Sequence, residues 1–335
     1  MRKDPALLFR IQYRLVVMTF LLAFCVVLLG AYVRLSDAGL GCPDWPGCYG
    51  QLIVPSESAE VVSNEQTFDQ SKAWKEMIHR YMAGTLGLFI LLLAILAWTN
   101  RAVARQPVVL PVMLLLLVIF QALLGMWTVT LLVKPAIVTA HLLGGFATLA
   151  LLWLLFLRLR PIDHLHTVDT SRSLRRWIHF SLFILLIQIT LGGWTSSNYA
   201  ALGCTEFPTC YAGKWWPEMD FKEAFVLWRG LGINYEFGVL ETDARTAIHV
   251  THRLGALLTL LTLGVLTYWL IRRSSARALQ SIGYLLTLIL ILQIGLGITN
   301  VLGHLPLNVA VAHNGGAAIL LWILVTLIWV SRQRE

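Results

Sequence analysis

Apolar stretches of about 20 residues, the length that crosses a bilayer core, recur eight times in this chain. They fall at roughly 15–33, 76–98, 108–130, 136–157, 177–196, 247–271, 278–301 and 309–330. In a lipid interior each backbone N–H and C=O must be satisfied within its own segment, so such stretches fold as helices. Only 13% of the 335 residues are charged, against about 25% in soluble domains, and this excludes a soluble enzyme. The first stretch follows basic residues, as a signal peptide would. It is too long for one and ends in Gly30-Ala31-Tyr32-Val33-Arg34 rather than at a small-residue cleavage site, so it counts as a span. The expected fold is an all-α membrane protein with eight transmembrane helices.

The net charge of +8 does not mark a nucleic-acid binder, because the charges are sorted by side. With both termini inside, the inner segments hold 16 of the 26 Lys and Arg but 4 of the 18 Asp and Glu. The positive-inside rule then predicts cytoplasmic termini and puts the long, cysteine-bearing loops outside. The partner implied by composition is the lipid bilayer, and no nucleic acid is expected.

The chain repeats itself. Gly30 and Gly192, Cys42 and Cys204, and Cys48 and Cys210 are each separated by 162 positions. Gln121 precedes His141 by 20 residues, as Gln293 precedes His313. Gly125 and Gly297 each stand 16 residues before the same histidines. Self-similarity of this kind marks a duplicated unit. We read residues 1–160 and 161–335 as two tandem four-helix bundles, the second with an outer loop longer by about ten residues. An even number of spans per unit makes the repeats parallel.

Cys42-Pro43-Asp44-Trp45-Pro46-Gly47-Cys48 and Cys204-Thr205-Glu206-Phe207-Pro208-Thr209-Cys210 are predicted to form one disulfide each, since disulfides persist on the oxidising side. A structural clip is the simpler role, and a reducible redox pair is the alternative. Zinc is not expected, because no further ligands stand at finger spacing. Cys25, within the first span, reads as an inert core residue.

Four spans begin near a histidine: His79, His141, His252 and His313. Imidazoles at membrane depth need a partner or a metal. Two of them facing across a bundle are what a six-coordinate haem iron requires. Position i+3 shares a helix face with position i. Gly144, Gly255 and Gly316 occupy it after three of the histidines and are expected to leave room for a flat macrocycle, whereas Met82 follows His79. Arg80 and Arg253 each follow a histidine. They are candidates to pair with haem propionates or to snorkel to the headgroups. Glu76 lies one turn before His79 and is a candidate general base or charge stabiliser, with a helix N-terminal acid as the simpler role. His249 holds the same place before His252. No role is assigned to His304, His164, His166 or His179.

Taken together, the run from Gly30 to Leu40 leading into the first cysteine pair, the stretch Glu76-Met77-Ile78-His79-Arg80 and the duplicated histidine plan resemble the haem A synthase family over nearly the whole chain. The resemblance implies conversion of haem O to haem A, by oxidation of a porphyrin methyl to a formyl group, for terminal oxidases in the bacterial inner membrane. It implies a haem b held by His252 and His313, a substrate haem between His79 and His141, and a part in the reaction for Glu76. Haem O synthase and the cytochrome oxidase assembly route are the partners it implies.

Two other classes compete. A di-haem b, quinol-linked electron-transfer cytochrome shares the histidines but needs neither stapled loops nor an acid beside one ligand. A transporter of duplicated bundles would carry acids or lysines deep in its spans, and none is seen. The electron acceptor, the oxygen source, haem delivery and homo-oligomer formation stay open at this level.

Overall fold

The computed structural model describes residues 5–56, 68–103, 106–159 and 170–331. Of the residues behind the charge asymmetry, Arg2, Lys3, Asp4, Arg105, Arg160, Asp163, Asp169, Arg332, Arg334 and Glu335 lie outside the described residues, as do His164 and His166. Among the described residues the helices are α1 (Pro5–Leu35), α2 (Gln70–Thr99), α3 (Val109–Thr130), α4 (Pro135–Leu159), α5 (Arg172–Ser197), α6 (Phe221–Ala224), α7 (Thr242–Arg272), α8 (Arg277–Leu302) and α9 (Leu307–Val330). Eight are long and apolar enough to cross a membrane. The chain is a multi-pass membrane protein. The short α6 lies in the second cysteine loop, where no apolar run announces it.

Two helices begin earlier than the apolar pattern predicts. α2 starts at Gln70 and α7 at Thr242, because their first turns are polar and lie outside any hydrophobic window. Asp69 caps α2 by accepting a hydrogen bond from the Lys72 N–H at 3.1 Å, which satisfies one of the otherwise unpaired first-turn donors. Ser171 caps α5 in the same way through the Leu174 N–H, also at 3.1 Å. His79 therefore sits about two and a half turns into its helix.

Within the first half, α1 packs on α2 and α4, α2 on α3, and α3 on α4. In the second, α5 packs on α7 and α9, α7 on α8, and α8 on α9. Each set closes a ring, consistent with two tandem four-helix units. The rings join where α4 meets α5 and α9, and where α1 meets α9. Buried side chains of both halves, from Val16 and Leu149 to Leu266 and Leu327, form one continuous apolar cluster. At its centre Phe20 lies between Trp153 and Trp322, with ring centroids 5.1 and 4.7 Å away. Trp153 Nε1 donates to Thr326 Oγ1 at 2.8 Å, so α1, α4 and α9 are held by tilted ring contacts and by one satisfied polar contact. Cys25 faces away from this cluster and is exposed, a correction to its expected core position. The buried stripe of α1 runs through Val16, Phe20 and Ala23, and Cys25 lies off that face.

Nearer the cysteine loops, residues at equivalent positions touch each other. Arg34 Nη2 donates to Ser196 O at 2.6 Å, and the Tyr199 hydroxyl donates to Asp37 Oδ1 at 3.0 Å. Both pairs are separated by 162 positions, the repeat offset, and equivalent residues can meet only next to the axis that relates the halves. Arg34 also stacks over the Tyr199 ring at 4.1 Å.

Phe20 is 8% exposed, and Phe20→Ala is expected to cost about 3 kcal/mol through the cavity it leaves. Leu88→Ala on the outer face, 65% exposed, should cost little. Thermal melts in detergent that shift equally for the two variants would contradict a core centred on this stack.

Candidate functional site

All four histidines are half-buried, and each ring lies against a glycine on the helix before it. A Cβ at Gly30 would meet His79 Nε2 at 3.0 Å, and one at Gly125 would meet His141 Cε1 at 3.5 Å. A Cβ at Gly192 would meet His252 Cε1 at 3.3 Å, and one at Gly297 would meet His313 Cε1 at 3.2 Å. Glycine is used here for close approach: an imidazole fits against the neighbouring backbone because no side chain stands there. His79 and His141 are electrostatic neighbours, as are His252 and His313. Each half thus holds its two histidines within electrostatic reach of each other.

The glycines one turn after three of the histidines lie against glutamine side chains. Cβ atoms at Gly144, Gly255 and Gly316 would run into Gln121, Gln188 and Gln293 respectively. Amide side chains from the preceding membrane helix lie in that space. Gln121 and Gln293 were visible in the sequence as repeat markers. Gln188 was missed, although it stands four residues before Gly192 as the other two stand before Gly125 and Gly297.

The donor set fits haem iron. Two imidazoles per half would offer two nitrogens to an iron whose other four ligands come from a porphyrin. Among the described residues, His141 Nδ1 and His313 Nδ1 are buried without a hydrogen-bond partner, a costly arrangement unless the nitrogen has another use. Among the described residues no group of three or more His, Cys, Asp or Glu is placed to hold a bare metal ion.

Both cysteine loops are closed by disulfides, Cys42–Cys48 and Cys204–Cys210. Each is also pinned by the arginine that follows its histidine. Arg80 Nη1 donates to Asp44 O at 2.8 Å and to Gly47 O, and Nη2 donates to Glu76 Oε1 at 2.5 Å. Arg253 donates to Glu206 O at 2.7 Å and Thr209 O at 2.9 Å, and its Nε lies 3.2 Å from His249 Nε2. The bonds these guanidinium groups make thus run to loop carbonyls and to the residue one turn earlier.

Glu76 and His249 complete the same frame. Glu76, 5% exposed, accepts the Cys42 N–H through Oε2 at 2.9 Å; His249, 4% exposed, accepts the Cys204 N–H through Nδ1 at 3.1 Å. The loops are further tied from within. Asp44 takes the N–H groups of Tyr49 and Gly50 at 2.6 and 2.9 Å. Glu206 takes those of Ala212 and Gly213. The Gly213 N–H, the Thr209 hydroxyl and the Ala212 N–H hold the Glu206 carboxyl below the usual carboxylate range.

A further contact was not legible in the sequence. Lys134, 2% exposed, stands at the α3–α4 turn, donates to Gly230 O and lies 3.4 Å from the Trp228 ring centroid. The turn uses positive φ at Leu132 and Val133, 52° and 51°, a costly conformation for such side chains. It is fixed by Val133 N–H to Thr128 O at 2.7 Å and Tyr235 N–H to Leu132 O at 3.1 Å. The enlarged second loop therefore reaches across and binds the first half. His304 is exposed in the α8–α9 turn and His179 is exposed on α5, and neither joins the site.

Fold and site together define a multi-pass helical membrane protein with paired histidines beneath disulfide-stapled loops. A model of the cytochrome oxidase assembly protein family matches residues 13–325. The chain is 47% identical over 314 residues to the heme A synthase of Shewanella oneidensis, covering 92% of this chain and 93% of that one. It is 30% identical over 349 residues to the heme A synthase of Agrobacterium fabrum, covering 95% and 88%. For the heme A synthase of Halalkalibacterium halodurans the identity is 25% over 316 residues, covering 92% and 93%. The chain belongs to the cytochrome oxidase assembly protein family.

Arg253→Ala should free the second loop and orphan its carbonyls, at a cost of about 2 kcal/mol. The Cys204–Cys210 disulfide should then be reduced faster than Cys42–Cys48, read by thiol labelling and peptide mapping. Unchanged reduction of Cys204–Cys210 would mean that the arginine does not hold the loop.

Proposed function

We propose that this chain is a haem A synthase that oxidises a methyl group on the edge of haem O to the formyl group of haem A. We assign the substrate to the first half, residues 1–160, with its iron between His79 and His141. We assign a resident haem b to the second half, residues 161–335, between His252 and His313. That haem would supply electron storage. Its electron acceptor is unassigned.

One observation carries the division of labour. Glu76 and His249 occupy equivalent places, each accepting the N–H of the first cysteine of its loop and each contacting the following arginine. The second half shows that an imidazole is enough to tie down the loop. The negative charge in the first half is therefore surplus to that task. A carboxylate one turn from His79, held by the Cys42 N–H and Arg80, is suited to take a proton from, or stabilise positive charge on, a methyl group oxidised beside it. Arg80 fixes its orientation, and the stapled loop above it keeps water out. The arginines act in this reading as loop clamps first. A propionate contact would have to share their donors.

Glu76→Ala should keep the second-half haem b and stall conversion, with haem O or a partly oxidised product accumulating in extracted pigments. His79→Ala and His141→Ala should abolish haem A and keep that haem b, whereas His252→Ala and His313→Ala should lose its low-spin spectrum. Haem A formed by Glu76→Ala at the wild-type rate would remove the carboxylate from the chemistry. Loss of the second-half spectrum in His79→Ala would overturn the assignment of the halves.

We further place the protein in the bacterial inner membrane, with both termini in the cytoplasm and both disulfide loops outside, in the route that follows haem O synthase and leads to oxidase assembly. After reduction, a membrane-impermeant thiol reagent should reach Cys42 and Cys204 in intact spheroplasts. Labelling confined to inverted vesicles would reverse the orientation.

A further inference from the structure

His79 has a cation above it on its own helix face. Lys75 precedes it by four residues, which puts both on one face of α2, with Lys75 about 6 Å nearer the cysteine loop. Its Nζ lies 5.6 Å from the centre of the Tyr32 ring. Tyr32 stands two residues after Gly30, the glycine against His79. Lys75 and Tyr32 are both half-buried, and they line the α1–α2 seam next to the His79 ring.

The other cations at this end are engaged elsewhere. Arg80 donates to Asp44 O, Gly47 O and Glu76. Arg34 donates to Ser196 O and lies over Tyr199, and Lys134 donates to Gly230 O. Lys72, one turn further from His79, is turned to Phe237 of the second loop, 5.7 Å away. Among the described residues the Lys75 ammonium meets no carboxylate and no hydrogen-bond acceptor. An ammonium that rests on a ring face still has N–H donors to give.

The second half has no counterpart. Ile248 holds the place of Lys75, directly before His249 as Lys75 is before Glu76. Trp194 holds that of Tyr32, two residues after Gly192. Both are buried, in one apolar cluster with Ala224 of α6, whose carbonyl accepts the Trp194 Nε1–H at 2.9 Å. The seam that carries a cation in the first half is sealed in the second.

We propose that Lys75 binds a propionate carboxylate of the haem held by the first half, and that the second half lacks this anchor. This rests on a haem between His79 and His141. Further along α2 the buried side chains are Leu86, Ile90 and Leu93. A carboxylate among them would be costly, so the propionates belong at the loop end, where Lys75 is. Each propionate of such a porphyrin shares its pyrrole ring with a methyl group. Holding one at Lys75 therefore fixes the rotation of the ring and keeps a methyl at the level of Glu76, the next residue.

The test titrates the full chain in detergent with iron protoporphyrin IX to beyond two equivalents, followed in the Soret band. The binding step that His79→Ala removes marks the first half. Lys75→Met should weaken that step about tenfold and leave the other unchanged. Lys75→Arg should restore it, and Lys72→Met should not weaken it. The dimethyl ester of iron protoporphyrin IX has no carboxylate, and its first-half step should be the same in the wild type and Lys75→Met. An unchanged step for the free acid in Lys75→Met would overturn the proposal. Equal weakening for acid and ester would also overturn it, by making Lys75 a packing residue. If His79→Ala removes no step, the first-half haem site itself fails, a result distinct from a lysine without effect.

Discussion

An imidazole held between membrane helices needs space at the level of the neighbouring backbone, and the architecture follows from how that space is made. Each of the four histidines lies against a glycine of the preceding membrane helix, where a methyl group would sit 3.0 to 3.5 Å from the ring. Helix pairs in lipid gain little from apolar burial against each other and rely on close packing. A glycine facing a histidine gives both close approach and a polar group inside the bundle. The pairs α1–α2, α3–α4, α5–α7 and α8–α9 are each built around one such contact.

The frame above these pairs is also built twice. A disulfide shortens each loop, an arginine gathers its carbonyls, and an acceptor on the same helix takes the N–H of its first cysteine. Arg80 and Arg253 make hydrogen bonds that would otherwise be missing from backbone groups turned away from water. The loops are thereby fixed relative to the histidines one turn below. The second loop adds the Lys134–Trp228 contact, which ties it to the opposite half. The two halves are further joined at their axis by Arg34 and Tyr199, and deeper down by the Phe20–Trp153–Trp322 stack.

Within this shared frame the halves differ at a few positions. Glu76 replaces His249, Val26 replaces Gln188, and Met82 replaces Gly255. Each change keeps the fold, because the loop tie accepts either acceptor and the helix packing accepts either side chain. Local differences within a duplicated frame thus leave one half with an acid and the other with an imidazole in the same place.

The eight spans, the 162-residue repeat, the two cysteine pairs and the four histidines were legible in the sequence because each depends on composition or on spacing along one chain. Helix starts were less so: α2 and α7 begin in polar turns that no apolar window includes. The meaning of the glycines needed the fold. Gly144, Gly255 and Gly316 share a helix face with the histidines, yet what fills that space comes from another helix. Gly30, Gly125, Gly192 and Gly297 face the rings only after the helices pack. The arginines could equally have met headgroups or propionates, and only the folded loops direct them to carbonyls. Lys134 reads as an ordinary loop cation until a segment nearly 100 residues later closes over it. Sequence alone determined the spans and the matched register of the histidines and cysteines, because hydrophobic length and repeat spacing are local properties. Which side chains satisfy which buried polar groups was decided by the tertiary structure, because a hydrogen bond across helices depends on packing distances that no single segment encodes.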